Sequence, residues 1–453
     1  MNPISIPNWL KTLAEQFQAK GRQFYIVGGA IRDGLLEREI NEWDAATDAK
    51  PAEIATILRA AGCRQIGTIG AKFGTITATF ENETLEVTTF RTDQYQADSR
   101  APAVQFGSSL LDDLERRDFT VNAIAFNPLN NALHDPFHGQ TDLKAKIIRA
   151  VNEPKKRFEE DPLRMLRAIR LAVQLDFTIE KETLVAIEKE KERMGILSAE
   201  RIAQEFNKIL LSEKPSQGLE LIVESGLISY VLPELIPSID LEFDPGEHKD
   251  IYHHILQVLD NTPPRLELRW CALLHDIAKP LTRKKIGGEY HFLGHEVVGA
   301  RLAKTILRRL KYSNEFVDYV SKLVYLHQRI PNDQGNWTDG AVRRFVRDAG
   351  EALQDLFTFA EADSTGKNER KLAKYRAGRD ELKNRIEVLE KEAEIAKIKS
   401  PLSGEELMKL FHRPAGPWIK PIKEKLLALV LDGELSEKDK TKAEEIARTI
   451  VKN

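Results

Sequence analysis

At Pro154 this 453-residue sequence changes texture, and that change constrains the fold more than any other feature. From about residue 24 to residue 151, strand-like and helix-like apolar patterns alternate. The runs Ile69–Phe80 (IGAKFGTITATF) and Leu85–Phe90 (LEVTTF) interleave β-branched residues and predict two neighbouring strands. Beyond Pro154 a 3.6-residue period continues with few turn signals, which predicts helix to the end. The expected fold class is therefore α+β: a small mixed or antiparallel sheet, then an all-helical remainder. One core cannot serve a chain of this length, so about three or four domains are expected. Breaks near 238–245, 287–288, 331–335 and 400–401 suggest where it subdivides.

Lys and Arg number 67 against 70 Asp and Glu, a net charge of −3. A nucleic-acid partner must then be met by local basic patches rather than by a generally cationic surface. Residues 365–386 offer one such patch, with eight Lys or Arg against three Asp or Glu on a predicted helix. Two readings stay open for it, a solvated charged helix and a phosphate-backbone contact surface. The two cysteines, Cys63 and Cys271, are too few and too far apart for a disulfide framework or a zinc cluster. A reducing compartment, the cytoplasm, is expected. Residues 7–17 read as an amphipathic surface helix rather than a signal peptide, and no apolar run approaches membrane-spanning length.

Chemistry begins at Ile26-Val27-Gly28-Gly29-Ala30-Ile31-Arg32-Asp33. An apolar strand feeds a glycine turn whose backbone can approach phosphate oxygens. Glu42 and Asp44 follow, and in an extended segment the i, i+2 spacing puts both carboxylates on one face. Such a pair can hold two Mg²⁺ ions against a triphosphate and favour departure of pyrophosphate. Glu86, in Glu86-Val87-Thr88-Thr89-Phe90-Arg91, lies on a strand expected beside that pair. It is a third candidate carboxylate, able to deprotonate an attacking hydroxyl or steady a metal ion. Arg116-Arg117-Asp118-Phe119-Thr120-Val121-Asn122-Ala123 supplies paired guanidiniums, whose forked donors suit a triphosphate.

Glu160-Asp161-Pro162-Leu163-Arg164 is expected to open the first long helix, with Asp161 and Arg164 on one face. A carboxylate accepts from an exocyclic amine, and a guanidinium donates to a ring nitrogen or carbonyl. Cytosine and adenine present an amine next to an acceptor; uracil and guanine present a keto group where the amine would be. A fixed Asp/Arg pair would accept CTP and ATP and leave polar groups unpaired against UTP and GTP.

The segments 27–33, 42–49, 86–91, 116–123, 135–143 and 160–170, in this order and spacing, resemble a class II tRNA nucleotidyltransferase. This is the CCA-adding branch of a family shared with bacterial poly(A) polymerases. The resemblance implies a nucleotidyltransferase head over 1–150 and a helical neck and body for base selection and RNA binding over 151–240. It further implies an HD domain over 241–365 and a helical tail contacting tRNA over 366–453. It puts catalysis and Mg²⁺ on Glu42 and Asp44 with Glu86, and base selection on Asp161 and Arg164. Arg116, Arg117 and Asp118 would meet ribose and triphosphate, with Arg32 near the phosphates. Gly28, Gly29, Asn122, Arg167 and Arg170 complete the implied nucleotide-binding set. One position departs from the family, which usually has Asp where Glu42 stands; the longer side chain can still ligate Mg²⁺, whose octahedral geometry is demanding. A flexible loop accompanies A-addition in this family, and residues 95–106 (YQADSRAPAVQF) stand where it occurs.

His254, His275, Asp276 and Asp363 match the positions of an HD phosphohydrolase, which implies a transition-metal site; His295 and His327 lie between them in sequence. The expected function is template-independent addition of CCA to tRNA 3′ ends from CTP and ATP with release of pyrophosphate. The alternatives are A-addition alone, a poly(A) polymerase, an HD metallophosphohydrolase with an RNA-binding head, and a tRNA-binding protein without activity.

Overall fold

The computed structural model describes residues 4–63, 65–80, 83–94, 103–107, 109–239, 241, 251–330, 337–365, 369–392 and 399–452. The chain divides into two compact units, 1–233 and 234–453. Most of the 95–106 segment lies outside the described residues.

In the first unit, α1 (Asn8–Ala19) buries Leu10, Leu13, Ala14 and Phe17 along one face, as its pattern predicted. β1 (Phe24–Val27), α2 (Gly29–Leu35), β2 (Glu42–Thr47) and α3 (Pro51–Ala60) follow. Next come β3 (Gln65–Gly67), β4 (Thr75–Phe80) and β5 (Glu83–Thr89), then the separate pair β6 (Arg91–Gln94) and β7 (Ala103–Phe106). α4 (Leu110–Glu115) leads to β8 (Ala125–Phe126) and β9 (Leu133–His134).

Seven of these strands form one sheet in the order β3-β4-β5-β2-β1-β8-β9. β2 and β5 run parallel and every other neighbouring pair is antiparallel, which is the mixed sheet expected. The predicted strand 69–80 begins only at Thr75. Residues 71–73 form a 3-10 turn closed by Gly74 at φ +90°, and Ile69 is 96% exposed. Val27, Ala46, Phe90, Leu114, Ala123 and Val151 pack into one buried cluster, fixing β1 and β2 against α4. The carboxylate-bearing strands thus stand on a rigid floor.

α5 (Gly139–Ala145), β10 (Ile147–Ile148), α6 (Pro154–Glu160), α7 (Leu163–Leu175), β11 (Thr178–Ile179), α8 (Lys181–Glu190), α9 (Ala199–Leu210), α10 (Pro215–Glu224) and α11 (Ile228–Val231) complete the unit. The expectation that 160–164 opens one helix is corrected here. α6 ends at Glu160, Asp161 is extended (φ −145°, ψ 102°), and α7 starts after Pro162. Proline disfavours helical backbone in the residue before it, so the break falls at Asp161.

The second unit holds α12 (Ile236–Ile239), α13 (Ile251–Asn261), α14 (Leu266–Leu274) and α15 (Lys279–Thr282). β12 (Lys284–Ile286) and β13 (Glu289–His291) interrupt the helices, contrary to the all-helical expectation. Gly287 and Gly288 have φ of +62° and +89°, the left-handed pair that a two-residue hairpin turn requires. α16 (His295–Arg309), α17 (Asn314–Leu326), α18 (Asp339–Ala349), α19 (Leu353–Asp363) and α20 (Glu369–Glu392) follow. α21 (Gly404–Phe411), α22 (Ile419–Leu431) and α23 (Lys440–Lys452) enclose a core of their own around Leu407, Leu426 and Ala447.

Part of the basic charge on α20 is spent internally. Arg379 is buried and donates to the Ala360 carbonyl, Lys383 lies over the Phe357 ring, and Arg385 pairs with Asp339. Cys63 and Cys271 are both buried and unbridged, and burial pushes the Cys271 thiol well up. Among the described residues no helix is long and apolar enough to cross a membrane.

Candidate active site and a candidate metal centre

Parallel pairing sets Asp44 of β2 in register with Glu86 of β5, so these carboxylates share a face with Glu42 two residues earlier. Glu42 and Glu86 are exposed and Asp44 is half-buried. Burial pushes the Asp44 carboxyl up to about 6; Arg117 opposes the shift, and Glu86 and Glu42 add to it. Gly28 makes the approach possible. With φ +73° it turns the chain from β1 into α2, and a Cβ there would stand 2.9 Å from Arg117 Nη1 and 3.2 Å from Asp44 Oδ2.

A cleft of about 380 Å³ opens beside Asp44, lined by Gly28 and Gly29, by Arg116, Arg117, Asp118 and Asn122, and by Asp161, Arg164 and Arg167. Its arginines are fixed by acids. Asp113 of α4, fully buried, accepts from Arg116 Nε and Nη2 at 3.0 and 2.6 Å and from Arg117 Nη2 at 3.2 Å. Despite burial, the two guanidiniums hold the Asp113 carboxyl below the usual range. Asp118 accepts from the Phe119 amide, from Asn122 and, at 2.5 Å, from Arg167. Its oxygens tie the head to α7. Asn122 in turn accepts from Arg32, which also chelates Asp33. Arg32 and Arg170 do not line the cleft; Arg170 forms an ion pair with buried Glu205 of α9 at 2.7 Å.

Also lining the cleft, Asp161 accepts from the Leu163 amide on Oδ1 at 3.1 Å and from Arg201 on Oδ2 at 2.9 Å. Arg164 donates to Glu160 at 2.7 Å and to the carbonyls of Arg157 and Arg116. Asp161 and Arg164 therefore meet at the cleft from a helix break and a first turn, not from one helix face. Arg201, Asp113 and Glu160 were not singled out from sequence as side chains of the site. Arg201 meets Asp161 only through the fold, whereas Asp113 and Glu160 stand at i, i+3 and i, i+4 to the arginines they hold, a spacing present in the sequence.

In the second unit α13, α14, α16, α17 and α19 bring His254, His275, Asp276 and Asp363 together, and add His295 and His327. His254 Nε2 lies 3.0 Å from Asp363 and 3.3 Å from His275 Nε2, which is 3.2 Å from Asp276 Oδ2. On the other oxygen of Asp276, His295 Nε2 stands at 3.3 Å and His327 Nε2 at 4.0 Å. His275, His295 and His327 each direct Nδ1 at a carbonyl three residues back, at 2.8, 2.7 and 2.6 Å. A carbonyl only accepts, so Nδ1 carries the proton and a neutral ring turns its Nε2 lone pair inward. Burial, with His275 adjacent, lowers His327 to about 4 and keeps that ring neutral. Lys279 donates to Asp276 Oδ2 at 2.5 Å. The donor set, imidazoles with fixed tautomers around a shared carboxylate, suits transition-metal ions.

A glycine turn beside strand carboxylates, with arginines along a cleft, defines a nucleotidyltransferase head. The family model of the poly A polymerase head domain matches residues 24–149. A probable RNA and SrmB-binding site of polymerase A matches 176–239, and an HD domain matches 251–398. The CCA-adding enzyme of Geobacillus sp. strain WCH70 is 33% identical over 424 residues, covering 93% of this chain and 92% of the relative. That of Geobacillus thermodenitrificans is 32% identical over 450 residues, 97% of each. The crystal structure of the Bacillus stearothermophilus CCA-adding enzyme in complex with CTP superposes with a TM-score of 0.69 at 27% identity, covering 98% of both chains. The chain belongs to the CCA-adding enzymes.

Proposed function

We propose that the protein adds C, C and A in turn to tRNA 3′ ends from CTP and ATP, releasing pyrophosphate, with side chains in place of a template. The observation that carries this is the cleft itself. Asp44, the Asp113-clamped arginines, Asp161 and Arg164 line one cleft. A nucleotide in it would set its triphosphate by Asp44 and the clamped arginines and its base by Asp161 and Arg164. Enzymes of this class use a divalent metal, and Glu42 and Asp44 would hold Mg²⁺, with Glu86 beside them. The upward shift of Asp44, which Arg117 offsets only in part, and the neighbouring acids Glu42 and Glu86 fit such an ion. Bound there, Mg²⁺ supplies positive charge to the reacting triphosphate. The protein's own part is to fix the arginines, orient the base and place Glu86 for the hydroxyl proton. The buried, unbridged cysteines support a cytoplasmic setting.

The test is extension of three tRNA transcripts, ending before CCA, after C and after CC, read at single-nucleotide resolution with CTP, ATP or both. Growth of the shortest by CCA and then arrest is the expected result. One A added only to the CC-ended transcript would make it an A-adding enzyme, and a long homopolymer would make it a poly(A) polymerase. No extension of any would overturn the reading.

The converging imidazoles favour a second site. His254, His275, Asp276 and Asp363 would hold one transition-metal ion, and His295 and His327, through the other oxygen of Asp276, a second. Such ions acidify bound water for phosphoester hydrolysis. Metal content of the purified protein, against a His275→Ala variant, tests it; equal content in the two would sink it.

A further inference from the structure

Asp161 belongs to neither flanking helix, so helical backbone does not orient its carboxylate. Two donors do, the Leu163 amide on Oδ1 and Arg201 on Oδ2. Arg201 comes from α9, which is itself anchored. Ile202, Phe206 and Ile209 bury one face of that helix, and buried Glu205 pairs with Arg170 of α7. The Arg201 side chain, 43% exposed, also lines the cleft.

We infer that Arg201 is a positioning residue for nucleotide selection. It fixes the Asp161 carboxylate to accept an exocyclic amine, and Asp161 in return engages the guanidinium. The inference rests on the transferase reading above. A held carboxylate oxygen keeps a second lone pair, so it can still accept from the amine of cytosine or adenine. A guanidinium free to turn at this place would donate to the keto oxygen of uracil or guanine. The ion pair thus acts twice against the wrong base. It presents an acceptor to a keto oxygen, and it occupies the donor that would satisfy that oxygen. Arg164 cannot replace it, because its side chain is 9% exposed and already donates to Glu160 and two carbonyls.

The experiment uses the full chain with Arg201→Met and Arg201→Lys. Single-turnover incorporation of CTP against UTP is measured on tRNA lacking CCA, and of ATP against GTP on tRNA ending in CC. Arg201→Met is expected to lower both selectivity ratios in kcat/KM by about tenfold or more. Lysine, which keeps a donor without the fork, is expected to recover part of that loss. Equal loss with all four nucleotides, ratios unchanged, would reduce Arg201 to a structural contact and overturn the inference; so would unchanged rates. Should the methionine variant fail to fold, the lysine variant is read alone, and wild-type ratios there overturn the inference. Absence of incorporation by the wild-type chain overturns the transferase reading instead, before any variant is compared.

Discussion

Among the candidate metal carboxylates Asp44 is the most buried, and burial raises its pKa. Folding raises its pKa from 3.8 to about 6, so the neutral carboxyl is the form the metal-free fold favours. Its contribution to stability is complete below about pH 4 and is lost as pH rises through 6. A divalent ion offsets that cost of burial above pH 6, where the carboxylate is charged. Mg²⁺ should therefore raise the melting temperature more at pH 8 than at pH 5, where proton competition weakens binding by about tenfold. An equal Mg²⁺-induced shift at both pH values would contradict this. Asp44→Asn should remove the pH dependence and lower incorporation about a thousandfold, several kcal/mol of charge stabilisation. Glu42 is exposed, and its side chain is a methylene longer than that of an aspartate. Glu42→Asp should stay within about tenfold of wild type, whereas Glu42→Gln should lose about a hundredfold. Rates in single-turnover incorporation decide both. These carboxylates were legible in the sequence because strand periodicity alone puts i and i+2 on one face. Arg201 was not, since it meets Asp161 only through the fold; Asp113 was passed over although it stands at i, i+3 and i, i+4 to Arg116 and Arg117.

At the scale of the element, α4 matters most for its short length. Ser109 and Asp112 form a capping box at its start, and one turn later Asp113 holds both cleft arginines. Asp113→Asn should raise KM for CTP and ATP together by about tenfold, as two charge-assisted contacts weaken. The CTP:UTP ratio should stay as in wild type, because the side chains proposed to read the base are Asp161, Arg164 and Arg201, not Asp113. A changed ratio with unchanged KM would contradict that division. Elements also show where periodicity misleads. Residues 284–291 sit in a helical texture, yet Gly287-Gly288 between alternating residues was itself a hairpin signal. Asp161 is the converse case: Pro162 was read as fitting the first turn of a helix, and its other local effect, an extended residue before it, was passed over.

On the scale of the whole molecule, two units with separate cores carry two sets of polar side chains. His275→Ala should lower transition-metal content, measured by elemental analysis, and leave CCA addition within about twofold, since changes at well-separated sites add independently. A parallel collapse of nucleotide incorporation would show that the units are not independent. The chain as a whole holds two cysteines, both buried. One practical consequence is chemical silence: thiol-directed dyes find little to react with in the native protein. An Ile69→Cys variant, at a position 96% exposed on the head, would then take a single label without any cysteine first being removed. Fluorescence from that one site could follow the head through successive rounds of nucleotide addition against a dark background.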